Sequence, residues 1–148
     1  GHVISNFMIT DKAYAGVFGV ADVDAEIYDL GVENAAIKSE SDAVMGGIVG
    51  WNSGMIYKCY FTGEVTQTGT TQVYESKVGG IAGLNLGLIF SCYNRGSISG
   101  PVGNMLYCVG GIARHKRRSI HKAVEPGFCQ FHGEGDSRTC RCNGLERI

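Results

Sequence analysis

A block of 22 residues occurs twice in this chain. MGGIVGWNSGMIYKCYFTGEVT spans Met45–Thr66, and VGGIAGLNLGLIFSCYNRGSIS spans Val78–Ser99. The copies lie 33 residues apart without a gap, and 10 of the 22 aligned positions are identical. Their shared frame is Gly-Gly-Ile-x-Gly-x-Asn-x-Gly-x-Ile-x-x-Cys-Tyr-x-x-Gly. A fixed period of this length marks a solenoid, in which each copy buries its apolar face against the next. A stacked array does not by itself supply a catalytic pocket, so the repeat also lowers the case for an enzyme.

Weaker copies flank the strong pair. Gly16–Gly19 (GVFG) aligns with Gly47–Gly50 (GIVG), and Glu26–Leu30 (EIYDL) with Met55–Cys59 (MIYKC) after a two-residue insertion. A further copy begins at Val109, where VGGIA repeats Val78–Ala82 at an offset of 31 residues, and breaks at Arg114, where Gly is expected. Upstream, Val3, Phe7 and Ile9 sit among polar neighbours in Gly1–Ile9, which reads as one short strand.

Within a copy, Ile48–Val49, Met55–Phe61 and Glu64–Thr66 carry the β-branched and aromatic residues that suit a pleated, half-buried surface. Asn52–Gly54 and Asn85–Gly87 read as turns, since Gly and Asn tolerate positive φ. The pairs Gly46–Gly47 and Gly79–Gly80 suit close backbone approach between coils. Polar stretches at Lys38–Ala43 and Gln67–Lys77 read as loops between coils. No segment shows helical period with caps, and no run reaches membrane-spanning length.

This pattern resembles the GLUG-motif repeat family, named for a Gly-Leu-x-Gly core. That core stands here as Gly47-Ile48-Val49-Gly50 and Gly80-Ile81-Ala82-Gly83, with Ile for Leu. The Asn-x-Gly and Cys-Tyr elements match as well, and Gly1–Ile9 looks like the strand that often leads such arrays. The resemblance covers Gly1 to about Ala113. It implies a parallel β-solenoid in a secreted or surface-anchored bacterial protein of adhesin-like type, and it brings no catalytic residues.

Cys59 and Cys92 share one repeat position, where the weak copy has Leu30. A slot accepting Leu or Cys reads as an interior apolar slot, since free Cys behaves as a small hydrophobe. The sharper alternative is a disulfide between adjacent coils: strand spacing of about 4.8 Å lies within the Cα range of a disulfide. In-register parallel neighbours, however, point their Cβ atoms the same way, which fits the required torsion poorly. Ile48, Ile56, Ile81 and Ile89 are expected in similar interior ladders.

The net charge of −1 hides a split. Residues 1–113 carry 5 Lys/Arg against 10 Asp/Glu, and residues 114–148 carry 8 against 4, so the halves sum −5 and +4. In the second half, Cys129-x-x-His132 and Cys140-x-Cys142 offer zinc-ligand types, but Cys-x-Cys is cramped for a standard knuckle. Arg114–Lys122 is basic enough to neutralise phosphates, yet lacks aromatic interleaving or a reader motif. A third reading is translation out of frame. With suitable codons, a shifted frame turns Arg114, Lys116 and Arg118 into Gly, Asn and Gly, as Gly83, Asn85 and Gly87 predict. Glu125, Gly127, Phe128, Cys129 and Gln130 similarly become Asn, Gly, Ser, Val and Ser, against Asn94, Gly96, Ser97, Ile98 and Ser99. The expectation is that residues after Ala113 come from a frameshift in the gene or its sequencing, which the nucleotide sequence tests directly.

Asp22, Asp24 and Glu26 alternate, so on a strand they would share a face and could hold Ca²⁺ or act as acid and base on a polysaccharide. A solvated face or turn is the plainer reading, because the later copies have no matching acids. The expected architecture is all-β: a right-handed parallel β-solenoid of about three coils, with an irregular tail. Residues 1–113 form the repeat domain, with copies at 16–37, 45–66, 78–99 and the start of another at 109; residues 114–148 form a basic tail. The chain reads as an internal piece of a longer protein. Its expected role is structural or adhesive, without catalytic residue, cofactor or metal, secreted or at the cell surface. Expected partners are a host or cell-surface glycan or protein and the flanking repeats of the parent chain, with no nucleic acid and no membrane insertion. The rival readings are a carbohydrate-active β-helix enzyme using Asp22–Glu26, and a metal- or polyanion-binding tail.

Overall fold

The computed structural model describes residues 1–41, 43–68, 76–100, 108–116 and 120–121, with side chains up to Ala113 except at Cys108. All of its regular structure is β. The first turn runs through β1 (His2–Ser5), β2 (Met8–Thr10), β3 (Tyr14–Ala15), β4 (Phe18–Ala21) and β5 (Glu26–Tyr28). The second runs through β6 (Leu30–Ser39), β7 (Val44–Gly46), β8 (Val49–Asn52) and β9 (Met55–Tyr57). The third comprises β10 (Tyr60–Gln67), β11 (Lys77–Gly79), β12 (Ala82–Asn85) and β13 (Leu88–Phe90). A further layer follows in β14 (Tyr93–Asn94), β15 (Ser97–Ser99), β16 (Cys108–Gly110), β17 (Ala113–Lys116) and β18 (Ile120–His121).

Each strand pairs in parallel with its counterpart one turn away, so the chain is a parallel β-solenoid of about three turns. Four flanks result. Flank I stacks β1 and β2, then β6, then β10, then β14 and β15. Flank II stacks β3, β7, β11 and β16; flank III stacks β4, β8, β12 and β17; flank IV stacks β5, β9, β13 and β18. The repeat sets the register: Ile56 pairs with Ile89 and Asn52 with Asn85, both across the 33-residue offset. The weak copy holds its alignment too, with Ile27 on Ile56 and Phe18 on Val49. Its two extra residues lie in the turn Asp22–Ala25, where Ala25 N–H donates to Asp22 O at 2.9 Å.

The core is a set of inward ladders. Ile48, Ile56, Ile81 and Ile89 are each 0% exposed, as the sequence predicts, beside Val32, Phe61, Ile37 and Val65. Burying each isoleucine contributes about 1.5–3 kcal/mol. The paired glycines mark close approach: a Cβ on Gly46 would run into Val49 O and lie 2.7 Å from Gly83 N and 2.8 Å from Ala82 Cα of the next turn.

Four local readings change. Gly1–Ile9 is two strands rather than one, because Asn6 turns into the left-handed region at φ 60° between β1 and β2. Met55–Phe61 is likewise divided, since Lys58 at φ 53° makes the corner between flanks IV and I. Asp29 (φ 50°) and Ser91 (φ 53°) make the same corner in the neighbouring turns. Lys38 and Ser39 belong to β6, so that loop begins at Glu40. Asn52 and Asn85 close β8 and β12 rather than supplying positive φ, and both are fully buried.

Candidate functional site

The corner between flanks IV and I presents the most distinctive outward chemistry among the described residues. On flank IV, residues at one outward register position stack: Tyr28 on Tyr57 at 5.2 Å between ring centroids and 11° between planes, and Tyr57 on Phe90 at 5.0 Å and 3°. On flank I, Tyr60 stacks on Tyr93 at 5.1 Å and 4°. These distances follow from the strand spacing of about 4.8 Å, which sets like side chains in offset-stacked contact. The Arg95 guanidinium lies 5.2 Å from the Tyr93 ring centroid, a cation–π contact.

Carboxylates accompany the rings. Tyr60 donates to Glu33 Oε1 at 2.6 Å, and Tyr57 donates to Glu26 Oε2 at 3.4 Å. The hydrogen bond to Glu33 holds the Tyr60 phenol above its ordinary pKa, with desolvation adding to it. Desolvation, then the Glu26 charge, raises Tyr57. Farther along flank I, Glu64 accepts from Thr66 at 2.7 Å and pairs with Lys38 at 3.3 Å. The Thr66 hydrogen bond, helped by Lys38, lowers the Glu64 pKa. The surface therefore offers ring edges, hydroxyls and carboxylates. Because each ring stacks on the next, its face is shared with a neighbour; Tyr28, 53% exposed at the start of the ladder, has no ring stacked on its other side among the described residues.

The acids singled out in the sequence do not converge. Asp22 and Asp24 lie in the turn before β5, with Asp22 Oδ1 accepting from Val23 N–H at 2.7 Å, whereas Glu26 lies on β5 beside Tyr57. The alternation of a strand face is thus lost in the two-residue insertion. Among the described residues, no group of three His, Cys, Asp or Glu side chains is placed to hold a metal ion. His2 lines the open end of the first turn with Tyr28. Cys129, His132, Cys140 and Cys142 lie outside the described residues. Of the basic segment, only the backbone of 114–116 and 120–121 is described; it continues flanks III and IV.

Cys59 and Cys92 occupy the interior slot: both are free and buried. Cys59 Sγ donates to Tyr57 O at 3.2 Å, and Cys92 Sγ to Phe90 O at 3.3 Å. The hydrogen bond with Cys59, followed by burial, pushes the Cys92 thiol well above its ordinary pKa. The same hydrogen bond lowers the Cys59 thiol, but nucleophilic chemistry needs a lowered pKa in an accessible site, and both thiols are buried.

Two features escaped the sequence reading although the aligned copies display them. Tyr28, Tyr57 and Phe90 coincide across copies, as do Tyr60 and Tyr93, and coincident aromatics on a solenoid stack. Asn52 and Asn85 form a buried amide ladder. Asn52 Nδ2 donates to Asn85 Oδ1 at 2.7 Å, while Asn52 Oδ1 accepts from Gly54 N–H at 3.2 Å.

Among the described residues, no helix is long and apolar enough to cross a membrane. No curated protein and no solved structure matches the chain. Residues 43–66 match the family model described as the GLUG motif. Those residues are a GLUG motif, and the return of its frame over Val78–Ser99 in the next turn supports placing this solenoid in the GLUG-motif repeat family.

Proposed function

We propose that this chain is a non-catalytic adhesive segment of a secreted or surface-anchored bacterial protein, binding a glycan or protein ligand along the corner of flanks IV and I. The GLUG motif and the solenoid fit a repeat segment of a larger protein. The observation that carries the binding reading is the pair of outward aromatic ladders with their carboxylates, Glu26 on Tyr57 and Glu33 on Tyr60. Aromatic side chains give large contact area at low entropic cost, and carboxylates accept from sugar hydroxyls or peptide amides.

The separation of Asp22 and Asp24 from Glu26 favours binding over hydrolysis. A glycan and host-surface-protein array tests the reading, with Tyr57→Ala and Tyr60→Ala as variants. Loss of a bound ligand in both variants, with the fold retained, is the expected result; full retention in both would sink it. A glycan-cleavage assay on the chain and on Asp22→Asn and Asp24→Asn should detect no hydrolysis. Hydrolysis abolished by those changes would establish the enzyme instead.

A further inference from the structure

Two pairs of phenols lie ring on ring between neighbouring turns. Tyr28 and Tyr57 are register partners with 5.2 Å between ring centroids and 11° between planes. Tyr60 and Tyr93 are register partners at 5.1 Å and 4°. With planes this close to parallel, each ring is nearly its partner's translated copy. The ortho carbons beside the two hydroxyls therefore face each other across about one strand spacing, roughly 4.8 Å. Tyr28 is exposed, and Tyr57, Tyr60 and Tyr93 are half-buried on outward faces. The rings can swing together about their side-chain torsions without disturbing the interior ladders.

The pairing is exclusive among the described residues. The next ring beyond Tyr57 is Phe90, which has no hydroxyl. The register position beneath Tyr60 belongs to Gly31, whose missing side chain leaves room for the Tyr60 ring. Tyr14 meets the Trp51 indole edge-on, at 6.0 Å and 73°, and stacks on no phenol. One pair also has a proton acceptor in place, since Tyr60 donates to Glu33 Oε1 at 2.6 Å.

We infer that Tyr28–Tyr57 and Tyr60–Tyr93 are sites of oxidative cross-linking, each pair forming one carbon–carbon bond when a haem peroxidase and hydrogen peroxide supply the oxidant. Each phenol gives up one electron and its hydroxyl proton; at Tyr60 the proton passes to Glu33 and on to water. The two phenoxyl radicals join at their ortho carbons. The two ortho hydrogens then move to the oxygens, which restores both phenols. One hydrogen peroxide takes up the two electrons and two protons and leaves as two waters, so each bridge costs the chain two hydrogens. Stacking supplies the proximity that makes coupling within a pair outrun coupling elsewhere. Each bridge ties one turn of the solenoid to the next.

The test treats the dilute full-length chain with a haem peroxidase and hydrogen peroxide, folded and in urea, and maps dityrosine by proteolysis and mass spectrometry. In the folded chain, Tyr28–Tyr57 and Tyr60–Tyr93 links within one molecule should exceed the same links in urea by roughly tenfold or more. Tyr57→Phe should remove the first bridge alone, and Tyr60→Phe the second alone; Phe90 shows that flank IV stacks a phenylalanine at this position. Glu33→Gln should slow the Tyr60–Tyr93 bridge by roughly tenfold or more and leave Tyr28–Tyr57 unchanged. Links no more frequent in the folded chain than in urea would overturn the inference, as would coupling only between separate molecules. An unchanged Tyr60–Tyr93 rate in Glu33→Gln would remove the carboxylate from the step. The ligand array for the aromatic corner uses unoxidised chain, so that reading and this one stand or fall separately.

Discussion

A buried asparagine in a solenoid wall is tolerable only if each of its polar atoms is satisfied in every layer. Asn52 and Asn85 meet that condition together, one amide feeding the next and each closing its own turn through Gly54 or Gly87. Asn85→Ala removes the acceptor from Asn52 Nδ2 and should cost about 1–3 kcal/mol, the penalty of an orphaned buried donor. Urea titration of the single and double alanine variants gives the coupling; additive losses would show that the amides act separately. The thiols permit a second measurement. Below a pH of about 8.5 both folded and unfolded Cys92 are protonated; above it the unfolded thiol ionises while the folded one keeps its proton. At this thiol the unfolded state then binds fewer protons, so Cys92 contributes a loss of stability as pH rises from there, which Cys59, lowered by the same hydrogen bond, partly offsets. Cys92→Ala should flatten that slope. A thiol reagent should leave Cys59 and Cys92 untouched in the folded chain and label both in denaturant.

At the scale of elements, the strands are short and their corners do the shaping. Asp29, Lys58 and Ser91 hold the left-handed conformation at the same corner in successive turns, a region costly for residues with a Cβ. Ser91→Gly should therefore raise stability by a few tenths of a kcal/mol to about 1 kcal/mol, and Ser91→Val should lower it, as thermal melts would show. This corner also marks where sequence reading stopped. Inward ladders were legible because Ile48, Ile56, Ile81 and Ile89 recur at a fixed period. The division of Met55–Phe61 was not, since Lys58 and Ser91 carry no glycine or asparagine signal for positive φ. The strand break at Asn6 carried that signal, but Val3, Phe7 and Ile9 among polar neighbours read through it as one strand. Of the candidate site, the aromatic residues were visible, while their stacking required knowing which faces of β5, β9 and β13 point outward.

For the whole molecule, stability is a sum over turns and the contacts between them. Ile81 lies in the middle of its ladder, so Ile81→Asp places an unpaired carboxylate between two turns and should abolish the folded β signal in circular dichroism, whereas Ile89→Ala should cost about 2–5 kcal/mol and leave the fold intact. An Ile81→Asp chain that kept its melting temperature would refute the inward assignment. Parallel pairing of every strand with the turns beside it has a further consequence, in mechanics. The backbone hydrogen bonds run along the solenoid axis, so tension applied to the two ends loads them one after another rather than all at once. Such a segment yields at modest force, one turn at a time. A turn that contributes about 4.8 Å of height releases roughly 110 Å of chain when it unravels, taking about 3.4 Å for each of its 33 residues. Tethered in series with a stiffer anchor, it would act as a shock absorber, paying out length while the attachment holds.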